Sequence, residues 1–432
     1  MAVCPCRKVI LPQTALSDKR ILNALAELEG SRPPGQRLDP SWPHPFPARM
    51  PVGVAEHLIS KVTSAESVVL DPMAGSGTTL IAARRLGRRS IGFDRDPLAL
   101  LVSRSVTRSF NSARLERLRL RLFERAKQAA CSRELSLPEM RGQLPVEDRK
   151  FIRYWFPSSS QKQLFALAAA IEEEPNGPER DLAWVVFSSL IIAKSAGASF
   201  ALDIPRSRPH KRTDKLVVAP FEAWDRRFTS AVARLPFLND DRSVESCVRL
   251  GDARSLPLQE ATVDLVLTSP PYLNAIDYLR AHKFSLLWMG HPLKDLRELR
   301  GTMVGTERGL WSLDGLPADL EGHLARLIKE KRRLAMSRRY LSDLRKIMKE
   351  MERVLKPDGL ALLILGPTII SSKRTDAFEV VSELSQGVGL RVVGSVARPL
   401  PDLRRSLPPP SATEEDRLAR RMRREIIVAL RK

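Results

Sequence analysis

The sequence predicts an α/β protein: a mostly parallel, doubly wound sheet with a large helical insertion between its second and third strands. Three observations carry this. Short apolar runs alternate with helical patterns from residue 67 to about 110. The alternation then gives way, over residues 112–240, to helical patterns alone. Strand-like runs resume at residue 246 and continue to the end of the chain. Strands that alternate with helices predict a parallel sheet covered on both faces, because each crossover lays a helix over the sheet.

Taken in order, residues 1–50 form an N-terminal extension with one expected helix near 17–29, followed by the proline-dense stretch 31–51, which reads as an ordered loop or linker. The run "SVVLD" (67–71) is a short buried strand, and "TTLIAARRLG" (78–87) is a helix closed by Gly87. The run "SIGFD" (90–94) is a second strand, after which Pro97 opens a second helix. Residues 51–111 thus form the first part of the sheet domain. The block 112–240 carries several amphipathic helices and one basic loop, "IPRSRPHKRTDK" (204–215). Residues 241–432 supply the rest of the sheet: "SCVRLGDA" (246–253), "TVDLVLTS" (262–269), "GLALLILG" (359–366), "LRVVGSVA" (390–397) and "EIIVAL" (425–430), the last read as an edge strand. A helix ends near 355, and another is expected near 375–387.

The 432 residues suffice for one large domain with insertions or for two to three smaller ones. The chain carries 71 Lys and Arg against 50 Asp and Glu, a formal charge of +21. That excess favours an anionic partner, nucleic acid above all. No apolar run reaches the roughly 18 residues of a membrane span, and no secretory signal is evident. The four cysteines, including Cys4 and Cys6, do not repeat at metal-ligand spacing, so no metal site is expected and free thiols in a reducing cytoplasm are.

In "VVLDPMAGSGTT" (68–79) a strand ends at Asp71, a turn with Gly75, Ser76 and Gly77 follows, and a helix opens at Thr78. Glycine lets a backbone approach a ligand closely, and a helix N-terminus offers unpaired N–H groups. Asp94 closes the next strand, where a carboxylate suits a ribose diol. The turn lacks both the G-x-G-x-x-G of dinucleotide sites and the G-K-[ST] of phosphate loops. Asp71 at the strand tip would repel a pyrophosphate and attract a cationic amine. The second informative stretch, "VDLVLTSPPY" (263–272), is a buried strand that ends in a stiff Ser-Pro-Pro-Tyr tip.

Together, "DPMAGSGTT" (71–79) and "TSPPY" (268–272) resemble the S-adenosylmethionine-dependent DNA methyltransferases that modify exocyclic amino groups, and the serine version is most similar to the N4-cytosine type. The resemblance covers about 67–110 and 246–400 and implies a Rossmann-like methyltransferase fold. "HPFPARM" (44–50) and "MERVLKPDGLALLIL" (351–365) also look like parts of this family. The expected cofactor is S-adenosyl-L-methionine, held by Asp71, Pro72, Ala74, Gly75, Ser76, Gly77, Thr78, Asp94 and Asp252, with Phe46 and Arg49 in the family's extra cofactor motif. Phe93 and Pro97 are candidates for the adenine pocket. The expected catalytic residues are Ser269, Pro270, Pro271 and Tyr272. An amino nitrogen conjugated with its ring is a poor nucleophile, and acceptors around its hydrogens, Ser269 Oγ and the Pro270 carbonyl, free its lone pair. Proline fixes φ near −65° and so holds those acceptors in place beforehand. Tyr272 would stack on a base flipped out of double-stranded DNA.

The basic loop, with Arg206, Arg208, Lys211, Arg212 and Lys215, is the expected nucleic-acid contact, and a basic helix near 325–350 is a second candidate. Asp277 and His282 are given no catalytic role. A restriction endonuclease in the same system is a possible partner, and the expected location is cytoplasmic, on the nucleoid. The family's usual Phe is Met73 here, and the gap of about 150 residues before Asp252 is an unusual place for a recognition region. An N6-adenine DNA enzyme and an RNA base amino-methyltransferase share these motifs. A catalytically silent binding protein fits less well, because the acids and the Ser-Pro-Pro-Tyr tip are all present.

Overall fold

The computed structural model describes residues 17–29, 42–47, 49–131, 144–193, 197–202, 204, 209–240, 244–272, 278–306, 316–366, 368–370, 373–375, 377–400 and 424–432. One seven-stranded sheet organises them: β1 (Val68–Asp71), β2 (Arg89–Asp94), β3 (Ser246–Leu250), β4 (Val263–Thr268), β5 (Leu355–Leu365), β6 (Arg391–Pro399) and β7 (Arg424–Arg431). Their order across the sheet is β3-β2-β1-β4-β5-β7-β6. All neighbouring pairs are parallel except the two that β7 makes. This is a Rossmann-like, doubly wound α/β fold with the insertion between the second and third strands.

The two middle strands decide where a ligand can sit. From β1 the chain progresses outward through β2 and β3 on one side and then returns to place β4 on the other. The crossover helices therefore depart to opposite faces, and a crevice opens at the carboxyl ends of β1 and β4. Side-chain alternation assigns the faces. Leu70, Val266, Ala361 and Leu363 pack with the helix Lys331–Val354, while Val69, Leu265, Leu267 and Leu362 pack with the helices Asp18–Ala26 and Val52–Val62.

Two readings change. The helix Val52–Val62, to which the sequence reading assigns no element, buries Ala55, Leu58, Ile59 and Val62 at helical spacing. The last strand is not at an edge: β7 lies antiparallel between β5 and β6, with Val428 opposite Leu363 on one side and Ser395 on the other. β6 is the edge instead. Its apolar content is lower than that of β7, as the solvent on its open flank allows.

The insertion leaves and re-enters at one point. Phe110 and Leu238 form an isolated parallel bridge, the Asn239 amide donates to the Phe110 carbonyl at 2.7 Å, and the Asn239 side chain caps Ser112. Between these ends the described helices Ser112–Cys131, Val146–Trp155, Ser158–Glu172, Pro178–Ile191 and Pro220–Val232 build their own apolar core around Leu122, Leu167, Phe187 and Trp224. That core is continuous with the helices Pro97–Thr107 and Tyr278–Leu286, so the insertion rests on the flank of the cofactor half of the sheet.

Candidate active site

The first strand tip is tied to the fourth. Asp71 is 4% exposed, and its Oδ1 accepts from the Met73 amide at 3.1 Å and from Thr268 Oγ1 at 2.7 Å. The glycine turn and the Ser-Pro-Pro-Tyr segment, far apart in sequence, thus share a buried hydrogen bond. The second strand joins them: Asp94 accepts from the Gly75 amide at 2.8 Å and from the Asp96 amide at 2.9 Å, while the Ala74 amide donates to the Phe93 carbonyl. Gly75 holds φ at +50°, which a side chain would strain. Gly77, at φ +81°, serves packing: a Cβ there would lie 3.0 Å from Ser103 and Val106 of the next helix.

These tips enclose a cleft of about 910 Å³, its open mouth included. Of the residues expected at a cofactor, Phe46, Arg49, Asp71, Pro72, Ala74, Gly75, Ser76, Thr78, Asp94 and Asp252 line it, together with Ser269 and Pro271. Gly77, Pro270 and Tyr272 are not among the lining residues. Nor are Phe93 and Pro97: Phe93 is fully buried in the sheet core. Sequence reasoning missed Arg95, Asp96, Ala99, Tyr278 and Met303, all of which face the cleft. Tyr278 stacks on Phe46 with centroids 5.8 Å apart and planes 22° apart. His282, also buried, meets Phe46 at 5.1 Å and places Nδ1 2.5 Å from Asp96 Oδ2. Asp96 in turn caps the helix Pro97–Thr107 through the Leu98 amide. His282 thereby orients a lining carboxylate; Asp277 lies outside the described residues.

The electrostatics separate the four acids. Asp252 lies between Arg95, at 2.7 Å, and Arg254, at 2.8 Å; burial would raise its pKa, but the Arg254 hydrogen bonds and the two charges outweigh burial and hold it low. Asp96 has His282. Asp71 and Asp94 have no cationic partner among the described residues. Burial raises Asp71 to about 6, against the pull of the Thr268 hydrogen bond. Burial, helped by the charge of Asp96, raises Asp94 to about 7. A buried and a half-buried carboxylate with no cationic partner among the described residues, at the end of a glycine turn, suit a cationic ligand.

At the fourth strand's tip Ser269 reaches the cleft, Pro270 is buried, and Tyr272 turns its hydroxyl towards Glu425 Oε1 at 3.3 Å, with Ser269 Oγ at 3.4 Å. Among the described residues no group of three or more His, Cys, Asp or Glu is placed to hold a metal ion. No described helix is long and apolar enough to cross a membrane.

Comparison with known proteins meets this geometry. The family described as DNA methylase matches residues 19–102. The type II methyltransferase M.BsoBI of Geobacillus stearothermophilus is 27% identical over 256 residues, 54% of this chain and 49% of that protein. M.HindIII of Haemophilus influenzae is 49% identical over 49 residues, 11% of this chain and 16% of that protein. M2.DpnII of Streptococcus pneumoniae is 40% identical over 63 residues, 15% of this chain and 24% of that protein. The chain is thus similar to the DNA methylase family over residues 19–102 and to the type II methyltransferase M.BsoBI over 54% of its length. It spans about half the length of M.BsoBI and less of the other two.

In this chain the expected nucleic-acid loop is only partly described: Arg206 and Arg208 lie outside the described residues. Lys215 is turned inward, with Nζ donating to the carbonyls of Ser199 at 2.9 Å and Ala201 at 2.6 Å. Arg212 pairs with Asp214 on the surface. Lys211 holds its ammonium 4.2 Å above the ring of Tyr154, which is 52% exposed. The second candidate, the helix Lys331–Val354, has several cations engaged internally: Arg333 with Glu330, Arg338 with Glu321, and Arg345 with the Leu384 carbonyl.

Proposed function

We propose that this protein is a site-specific DNA methyltransferase that transfers a methyl group from S-adenosyl-L-methionine to an exocyclic amino group, N4 of cytosine. The observation that carries the reading is a pair of carboxylates, Asp71 buried and Asp94 half-buried, with no cationic partner among the described residues, in the cleft that Ser269 also lines. The donor is a cation with an ammonium group and a ribose diol, and the residues fit it. Asp71 at the strand tip suits the ammonium, Asp94 suits the diol, and the Phe46–Tyr278 pair offers aromatic surface for a base. When bound, the donor supplies an electrophilic methyl on a positively charged sulfur. Ser269 Oγ and the Pro270 carbonyl accept the two amino hydrogens and so keep the nitrogen lone pair out of the ring. Displacing the base from the duplex costs a few kcal/mol, and stacking on Tyr272 offsets about 1–3 kcal/mol. Serine rather than Asp or Asn at position 269 supports cytosine over adenine.

Mass analysis of nucleosides from DNA of cells that express the protein, with modification mapping, tests this. N4-methylcytosine in one sequence context is expected. N6-methyladenine would reassign the base, and unmodified DNA would defeat the reading.

Donor affinity should depend on pH with a definite sign. Both folded-state carboxyls titrate above the ordinary aspartate value, so protonation between pH 8 and 5.5 removes the charges that attract the donor. The same shift makes the ligand-free protein lose these groups' contribution to stability as pH rises through about 6 to 7. Donor binding, and the melting-temperature increase it brings, should therefore be larger at pH 8 than at 5.5 by calorimetry and thermal melts. Equal affinities at the two pH values would contradict the charge assignment.

The DNA face we assign to the insertion. Lys150, Arg153 and Tyr154 are exposed at positions i, i+3 and i+4 of the helix Val146–Trp155, beside Lys211. Neither Lys150 nor Arg153 has an ion-pair partner among the described residues. Trp155 of the same helix meets Phe284 at 5.1 Å, and Phe284 shares its helix with Tyr278 of the cleft. Replacing Lys150 and Arg153 by Ala should flatten the dependence of log affinity on log salt by about 2, about one per lost phosphate contact, with turnover at saturating DNA unchanged. An unaltered slope would remove this face from the interface.

A further inference from the structure

Strand β6 carries a fully buried arginine, Arg398. Its Nη2 donates to Oε2 of Glu425, its register partner on β7. Its Nε and Nη1 donate to nothing among the described residues. The neighbouring rungs are apolar, Val396 opposite Ile427 and Ala397 opposite Ile426. A buried ion pair is a poor device for stability, since apolar replacements are commonly neutral or stabilising, and unmatched donors make it poorer. Its position suggests another use. Glu425 stands near the start of antiparallel β7, next to the carboxyl end of β5, and its Oε1 accepts from the Tyr272 hydroxyl at 3.3 Å. That hydroxyl lies 3.4 Å from Ser269 Oγ. Hydrogen bonds at active sites are often this long in the free enzyme.

We infer that Glu425, with its charge held by Arg398, is a positioning residue that anchors the Tyr272 hydroxyl and so sets the ring beside Ser269 before a base arrives. This rests on the reading of the chain as a DNA amino-methyltransferase. Two prolines stiffen the backbone up to Tyr272, so the freedom left to the ring lies mainly in its own side-chain torsions. A hydroxyl anchor removes that freedom in advance, and the base then meets a ring already oriented. Burial and the Glu425 charge push the phenol well above its usual range, so it remains a donor throughout the working pH.

The test compares Tyr272→Phe, an apolar pair, Arg398→Met with Glu425→Leu, and all three changes combined. Methyl transfer to DNA, donor binding and unfolding temperature are measured for each. Loss of one hydrogen bond to a charged group predicts a fall in kcat of about tenfold or more in each, with donor affinity unchanged. The combined variant should be no slower than Tyr272→Phe or the apolar pair alone, because both remove one contact. The apolar pair should melt at or above the wild-type temperature and still turn over slowly. Multiplying defects in the combined variant, or an apolar pair with wild-type kcat, would overturn the inference while leaving the methyltransferase reading intact. A wild type that methylates no DNA would overturn both.

Discussion

Asp71→Asn should lower affinity for S-adenosyl-L-methionine by about 100-fold or more and take methyl transfer with it, without unfolding the protein. Asparagine keeps the Oδ1 that accepts from the Met73 amide and from Thr268 Oγ1, so the link between the first and fourth strand tips survives. What it removes is charge. Losing one partner of a buried, hydrogen-bonded charge contact costs about 2–5 kcal/mol in binding, which brackets that factor. Burial already disfavours the ionised form of this carboxyl, raising it to about 6, so the neutral amide should leave the ligand-free protein at least as stable at pH 8. Calorimetric titration with the donor and a thermal melt of the free protein read the two effects separately. Wild-type donor affinity in this variant would show that the ammonium lies elsewhere.

Tyr272→Ala should have the opposite signature. The ring is not among the residues that line the cleft, so donor binding should be unchanged. Transfer should fall by about 100-fold or more, because the flipped base loses its stacking surface and its alignment with Ser269. Turnover under saturating donor, followed with radiolabelled methyl groups, measures this. A variant that loses donor affinity and transfer in parallel would place Tyr272 in the cofactor site instead.

Most of the sheet was legible from sequence because buried parallel strands read as apolar runs, and three of these runs end in residues of unusual chemistry: Asp71, Asp94 and Ser269. The place of the last strand was not legible. "EIIVAL" is apolar enough for an interior position, but its antiparallel entry between β5 and β6 is decided by tertiary pairing. The helix Val52–Val62 did carry its signal, four apolar residues at helical spacing, immediately behind a proline-dense loop. At the site, the strand-tip acids could be read from their positions. Tyr278 could not, because it reaches the cleft through the path of a helix that begins beyond the Ser-Pro-Pro-Tyr tip. Arg398 and Glu425 could not either: they are ordinary charged residues in sequence, and only the register of β6 with β7 makes them a buried couple. Lys215 shows the reverse error, a cation counted for DNA that serves two backbone carbonyls.

The narrow neck at Phe110 and Leu238 has a consequence for how such a protein can change. The insertion begins and ends at one spot, so another cassette could replace it without altering the distance between the flanking strands, provided it covers the same apolar faces of the helices Pro97–Thr107 and Tyr278–Leu286. Under the proposed function this would let the recognised sequence change while the transfer chemistry is kept, and a chimera joined at Asn111 and Asn239 is where an engineer would cut.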